Sequence, residues 1–304
     1  MDARSRFLYE SFLKRTPFEP TLDQDALYRD IADFMTGGDG DILVVNGYAG
    51  TGKTSALAAV VATCREHKVP CVLLAPTGRS AKVLSAYTGR PAYTVHKHIY
   101  RQKSHGDDGF GQFSLSPNKA KGTLYIVDEV SLIGIDAAAK ESSTLFGSGN
   151  LLEDLIQYVR NGGDNRLILV GDAAQLPPIG LELSPALSPE FMNGFGGVRF
   201  STLKEVVRQG SESGILFAAT LLRKRIMETG PDEAIEPATL ELPCKGFPDF
   251  QRLSGGELIE TLSDAYGRYG EDETIVLCRS NKRAIRYNAG IRGQVLFREE
   301  SLVR

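Results

Sequence analysis

Apolar positions along the chain alternate between two spacings. Residues 21–35 (TLDQDALYRDIADFM) carry Leu22, Ala26, Ile31, Phe34 and Met35 near helical spacing, with Thr21 placed as an N-cap. Gly37-Gly-Asp-Gly40 ends that helix. Ile42-Leu-Val-Val45 is a short unbroken apolar run, the pattern of a strand covered on both faces. A glycine-rich turn follows, and an alanine-rich stretch over 53–67 predicts a helix. The alternation continues with a strand at 69–75, a helix at 78–87, a strand at 124–127, a helix at 151–160 and a strand at 167–170. Strands alternating with helices predict βαβ units and a mostly parallel sheet, an α/β fold. After a Pro/Gly-rich stretch at 177–197, a second, weaker α/β section follows: helix 258–269, strand 274–277, helix 282–291.

Two segments break the rhythm. Residues 101–122 are polar and glycine-rich and read as an inserted hairpin or small lobe. Residues 229–248, with Pro231, Pro237, Pro243 and Pro248, read as a linker. No repeat recurs at a fixed period.

Composition narrows the class without naming the chemistry. The chain has 304 residues, room for one large domain or two to three small ones. Hydrophobic residues make up 42% and charged residues 24%, which argues against wholesale disorder. No apolar run approaches the ~18 residues of a membrane span, so no membrane partner is expected. The opening MDARSRFLYESFLKR scatters charges among its apolar positions, unlike a secretory leader. Cys64, Cys71, Cys244 and Cys278 form no C-x-x-C pair, and a reducing, cytoplasmic setting is expected. The net charge of −3 gives no global basic footprint, which leaves nucleic-acid binding to local patches.

The chemistry lies where strands end. Gly47-Tyr48-Ala49-Gly50-Thr51-Gly52-Lys53-Thr54 fits G-x-x-x-x-G-K-[ST] in full, after an apolar strand and before a helix. Glycines let backbone N–H groups curl around phosphates, and the helix N-terminus favours negative charge. Residues Gly47 to Ser55 are expected to cradle ATP, with Lys53 toward the β- and γ-phosphates and the Thr54 hydroxyl toward Mg²⁺. A second apolar strand ends in Asp128-Glu129. Asp128 is expected to hold the metal and Glu129 to polarise the attacking water. A third strand ends in Gly171-Asp172-Ala-Ala-Gln175, which places Gln175 to sense a γ-phosphate or orient water; Asp172 alternatively caps the following turn.

Joined in order, GYAGTGKTS, APTGRSAKVLS (75–85), YTVHKHIY (93–100), VDEVSLI (127–133), GDAAQLPPIG (171–180) and LKEVVRQ (203–209) resemble the superfamily 1 helicases of the RecD/Dda type. The resemblance covers about residues 20–295. It implies a P-loop NTPase motor of two RecA-like lobes, with ATP between them and 5′→3′ translocation on single-stranded DNA. The first lobe is then 1–205, with a pin-like insert at 101–122, and 206–304 a partial second lobe. Gln24 resembles the adenine-reading glutamine, or is an ordinary helix residue. Arg208 resembles the arginine that reaches the γ-phosphate from the hinge, or lies on the surface. Pro76, Thr77, Gly78, Arg79, Thr94 and His96 resemble segments that touch the DNA backbone, His96 being alternatively a core histidine. Phe110 and Phe113 stack on a base or pack the insert onto the sheet. Arg279 to Arg286 gives a local basic face suited to a DNA backbone or to solvent.

The chain departs from that family in having no T-x-H-x-x-Q-G-type segment and no second arginine-bearing motif after the helix at 282–291. The reading is a fragment of a longer helicase that binds ATP–Mg²⁺ and hydrolyses it weakly, a monomer whose partners are single strands and duplex junctions. A nucleotide-gated DNA- or protein-binding module stays open as the alternative. A GTPase or kinase fits less well, since no N-K-x-D segment occurs.

Overall fold

A computed structural model describes residues 1–37, 39–102, 113–134, 146–205, 213–228, 242, 244 and 246–298. It divides into two compact units, Met1–Gln209 and Gly210–Arg304.

The first unit is built on a six-stranded parallel sheet. Its strands are β1 (Ile42–Gly47), β2 (Cys71–Ala75), β3 (Ala92–Thr94), β6 (Leu124–Val127), β7 (Arg166–Gly171) and β8 (Val198–Leu203), in the order β3-β2-β6-β7-β1-β8. A short antiparallel pair, β4 (Tyr100–Gln102) and β5 (Phe113–Leu115), lies outside it, with Tyr100 opposite Leu115.

The central strands β1, β6 and β7 each carry an unbroken apolar run, Ile42–Val45, Leu124–Val127 and Leu167–Val170, because both faces are covered there. Successive side chains go to opposite faces. Leu43, Val45, Ile126, Ile168 and Val170 join one buried cluster; Ile42, Val44, Tyr125, Val127, Leu167 and Leu169 join the other. The first cluster is closed by α1 (Ala3–Arg15), α2 (Leu22–Thr36), α3 (Lys53–Glu66) and α4 (Gly78–Thr88), through Phe12, Leu27, Ile31, Leu57, Val60 and Leu84. The second is closed by α5 (Val95–Ile99), α6 (Leu151–Arg160) and α7 (Pro189–Asn193), through Ile99, Leu155, Val159 and Met192. Burying each such side chain contributes about 1.5–3 kcal/mol, so the two apolar layers hold the sheet's strand ends in register.

The elements expected at 21–35, 42–45, 53–67, 78–87, 124–127, 151–160 and 167–170 all form, within a residue or two at their ends. Helix α1, strands β3 and β8 and helix α8 (Gly214–Glu228) form without having been expected.

In the second unit, α9 (Leu258–Tyr269) and α10 (Asn281–Gly290) match the expected helices, and a π turn over Ile291–Val295 follows. The strand expected at 274–277 does not form. Ile275 is 61% and Leu277 87% exposed, and no strand occurs among this unit's described residues to pair with them. An apolar run needs a ladder partner to become a strand. The linker expected at 229–248 lies largely outside the described residues.

Candidate functional site

In a parallel sheet every strand's carboxyl end points to one edge, and ligands bind there. That edge carries Gly47 at the end of β1, Asp128 after β6, Asp172 after β7, Pro76 after β2 and Thr94 at the end of β3.

The turn from β1 to α3 depends on glycine at specific positions. Gly50 (φ 79°) and Gly52 (φ 77°) take left-handed backbone angles that side chains disfavour. At Gly47 a Cβ would lie 2.9 Å from Lys53 Cγ and Cδ and 3.2 Å from Leu203 Cδ1, so the lysine stem occupies that space. The Lys53 ammonium donates to the Gly47 and Tyr48 carbonyls, and its Nζ lies 4.0 Å from Asp172 Oδ2. Thr51 is buried, its hydroxyl donating to the Tyr48 carbonyl at 2.7 Å. The Thr54 hydroxyl, at the start of α3, has no hydrogen-bond partner among the described residues, which leaves it available as an oxygen ligand.

Asp128 spends one oxygen on the Glu129 N–H at 2.9 Å. That bond fastens Glu129 in a left-handed conformation (φ 59°), which costs a non-glycine residue about 1–2 kcal/mol. Burial raises the Asp128 carboxyl above its ordinary value, opposed by the Glu129 N–H and the charge of Lys53. Glu129 is raised by burial and then by the charges of Asp128 and Asp172, with Lys53 pulling it back. Three carboxylates and one ammonium therefore share this edge. Such an arrangement suits a hard divalent cation held by few protein oxygens and a carboxylate poised to take a proton. Among the described residues no three His, Cys, Asp or Glu side chains form a closed metal cage.

Gln175 is exposed; its Oε1 accepts from the Ser131 hydroxyl at 3.5 Å, and its N–H donates to the Asp172 carbonyl at 3.1 Å. Gln24 is wholly buried. Its Oε1 accepts the Thr21 N–H at 3.2 Å in a capping box, and its Nε2 donates to the Thr51 carbonyl at 2.9 Å.

The residues expected to touch nucleic acid sit toward the other end of the sheet. Ala75 pairs with Thr94, which sets the exits of β2 and β3 side by side. Thr77 caps α4 through Ser80, and Thr94 caps α5 by accepting the Lys97 N–H at 3.3 Å. Thr77, Gly78 and Arg79 are exposed, and Pro76 is half-buried. His96 packs edge-on against Phe146 at 5.3 Å and lies 5.8 Å from the Tyr100 ring. Phe113 stacks on Phe146, with centroids 4.4 Å apart. Phe110 and Arg208 lie outside the described residues.

Three contacts went unread in the sequence. Asp172 does cap its turn, accepting the Ala174 N–H at 2.9 Å, but its buried carboxylate also lies 4.0 Å from Lys53. Asn46 accepts the Ala173 N–H at 3.0 Å and so ties the exit of β1 to that of β7. Asp23 accepts the Lys204 and Glu205 N–H groups at 2.6 and 2.7 Å, fastening the exit of β8 to the first turn of α2.

No described helix is long and apolar enough to cross a membrane.

Known proteins share parts of this chain. The ATP-dependent RecD2 DNA helicase of Deinococcus radiodurans is 37% identical over 138 residues, 45% of this chain and 16% of the relative. An uncharacterised protein of Methanocaldococcus jannaschii is 30% identical over 149 residues, 45% of this chain and 11% of its own length. The chain thus spans less than a fifth of either curated relative. The crystal structure of Pif1 helicase from Candida albicans aligns with 72% of this chain and 50% of its own at 19% identity, with a TM-score of 0.41. The similarity to RecD2 agrees with the motif resemblance to the RecD-type helicases. The model of the AAA domain matches residues 23–234, a range that takes in the phosphate loop, the strand-end carboxylates and Gln175. With well over half its length inside that match, the chain belongs to the AAA domain family.

Proposed function

We propose that this chain is the ATP-hydrolysing part of a DNA helicase motor that moves on single-stranded DNA, 5′→3′ in keeping with the RecD resemblance. The reading takes residues 1–205 as a first RecA-like lobe and 206–304 as part of a second. One observation carries it: the phosphate-loop lysine, Asp128, Glu129 and Asp172 converge on one sheet edge, with Lys53 4.0 Å from Asp172 and its charge acting on both Asp128 and Glu129.

The reading assigns these roles. Backbone N–H groups of residues 47–55 and the start of α3 bind the phosphates of ATP, and Lys53 moves from carbonyl oxygens to phosphate oxygens. Thr54 and Asp128 would hold Mg²⁺, which when bound neutralises charge on the β- and γ-phosphate oxygens. Glu129 takes the proton of the attacking water, helped by its raised proton affinity. Gln175 orients that water or senses the γ-phosphate, and Arg208 supplies positive charge to the transition state. Pro76, Thr77, Gly78, Arg79, Thr94 and His96 line a strand path at the exits of β2 and β3, where hydroxyls and cations suit phosphate contacts without sequence choice.

The test is ATP hydrolysis by the chain with and without oligo-dT, alongside Lys53→Ala and Glu129→Gln. Stimulation by the single strand, with both variants at least about 100-fold slower, supports the motor reading. Nucleotide binding with no hydrolysis at all in the presence of oligo-dT would replace it with a nucleotide-gated binder.

A further inference from the structure

Charge is unevenly placed along this net-negative chain. The sequence holds 38 Asp and Glu, yet residues 67–102 contain none. The same stretch carries Lys68, Arg79, Lys82, Arg90, Lys97 and Arg101. It covers β2, α4, β3 and α5, the end of the sheet farthest from β8.

Within it, α4 sorts its side chains sharply. Ala81 and Leu84 are buried against the sheet, while Arg79, Lys82, Val83, Ala86 and Tyr87 are all exposed. Those five stand at i, i+3, i+4, i+7 and i+8, one stripe of the helix. Tyr87 is 66% and Val83 48% exposed. Neither Arg79 nor Lys82 forms an ion pair among the described residues. The stripe runs about 12 Å from Arg79 to Tyr87 at ~1.5 Å per residue. It starts at the exits of β2 and β3 and leads away from them along the outside of the unit.

We propose that the outer face of α4, with Lys82, Val83 and Tyr87 at its centre, is a binding track for single-stranded nucleic acid beyond the sheet-edge path. The proposal rests on the single-strand reading above and extends it from Arg79, which that reading uses, to Lys82, Val83, Ala86 and Tyr87, which it does not. Unpaired cations in an acid-free segment complement a phosphate backbone. An exposed tyrosine ring beside them offers a face on which an unpaired base stacks. A duplex, whose bases are already stacked, has no use for that ring, and an acidic peptide needs only the cations. The combination selects the single strand.

The experiment compares dT10 and dT25 binding to the full chain by fluorescence anisotropy across a salt series, for the unaltered protein, Lys82→Ala and Tyr87→Ala. Both positions are exposed, and an unchanged melting temperature verifies folding. Tyr87→Ala is expected to weaken dT25 at least about fivefold and to leave dT10 within about twofold. Lys82→Ala is expected to reduce the slope of log affinity against log salt for dT25 by about 0.7. Nucleotide hydrolysis without DNA stays unchanged in both. Equal losses for the two lengths, or no loss for either, overturn the track while leaving the single-strand reading standing. Failure of the unaltered protein to bind either length overturns both. Loss of a polyglutamate peptide with Lys82→Ala, together with intact dT25 binding, assigns the face to an acidic protein partner and overturns the track.

Discussion

Replacing Gln24 by alanine tests whether its amide is a structural latch as well as a candidate base reader. Gln24 and Thr51 are both fully buried, and the amide is committed at both ends: Nε2 to the Thr51 carbonyl at 2.9 Å and Oε1 from the Thr21 N–H at 3.2 Å. Gln24→Ala leaves the Thr51 carbonyl buried without its donor, at a cost of about 1–3 kcal/mol. It also removes one half of the α2 capping box, about 0.5–1 kcal/mol more. The sum is about 2–4 kcal/mol. In a unit the size of Met1–Gln209 each kcal/mol moves the midpoint by about 2–4 °C, so a drop of about 4–16 °C is expected. The assay is calorimetric or fluorescence melting without nucleotide. Gln24→Glu serves as a second variant, because it keeps the acceptor for Thr21 and loses the donor to Thr51. It is expected to melt at least half as far below the unaltered protein as Gln24→Ala. A shift under about 2 °C for Gln24→Ala, accompanied by loss of discrimination between ATP and GTP, would refute the latch and leave base reading as the residue's whole role.

Three further outcomes follow from the site. Because burial, Asp128 and Asp172 raise the Glu129 carboxyl, the native state binds that proton more tightly than the unfolded chain. Ionised Glu129 therefore destabilises above its raised value, so Glu129→Gln is expected to raise the melting temperature at pH 8 and to lose that gain by pH 4; a drop at pH 8 contradicts the assignment. In Asp172→Asn the Ala174 N–H keeps its acceptor while one charge raising Glu129 disappears, so the acid limb of kcat against pH is expected to move to lower pH, and an unmoved or raised limb speaks against Glu129 as the proton acceptor. Gly47→Ala puts a methyl group 2.9 Å from the Lys53 stem and is expected to weaken nucleotide binding at least about tenfold, read by titration with a fluorescent ATP analogue; unchanged affinity would show that Lys53 can move aside freely.

The sequence is most readable where one physical demand acts alone. Strands β1, β6 and β7 are buried on both faces, so each contains an unbroken run of four apolar residues, and α2 carries a capping box that fixes its first residue. Edge strand β8 obeys two demands at once: within VRFSTL only Ser201 and Leu203 are buried, while Phe200 is 39% exposed. Its pattern therefore matches neither a buried nor a cleanly alternating strand. Residues 274–277 fail in the opposite sense, having the composition of a buried strand with no strand among this unit's described residues to complete its ladder.

The same division runs through the site. Glycine spacing and an acid after an apolar run are local signals, and they single out residues 47–54, Asp128 and Glu129 as candidates. Register is not local. Asn46 meets Ala173 across 127 residues because Asn46 pairs with Gly171 where β1 lies against β7, and Asp23 meets Lys204 across 181 residues because β8 lies on the other side of β1. These bonds give the local motifs a mechanical context. Asn46 joins the phosphate loop's strand to the backbone of Ala173, next to the carboxylate that faces Lys53, while Asp23 and its neighbour Gln24 join one helix turn to the exit of β8 and to Thr51 of the loop. Tyr48 closes the ring by donating to the Leu203 carbonyl at 3.2 Å. A displacement of residues 48–51 would therefore strain either the α2 cap or the end of β8.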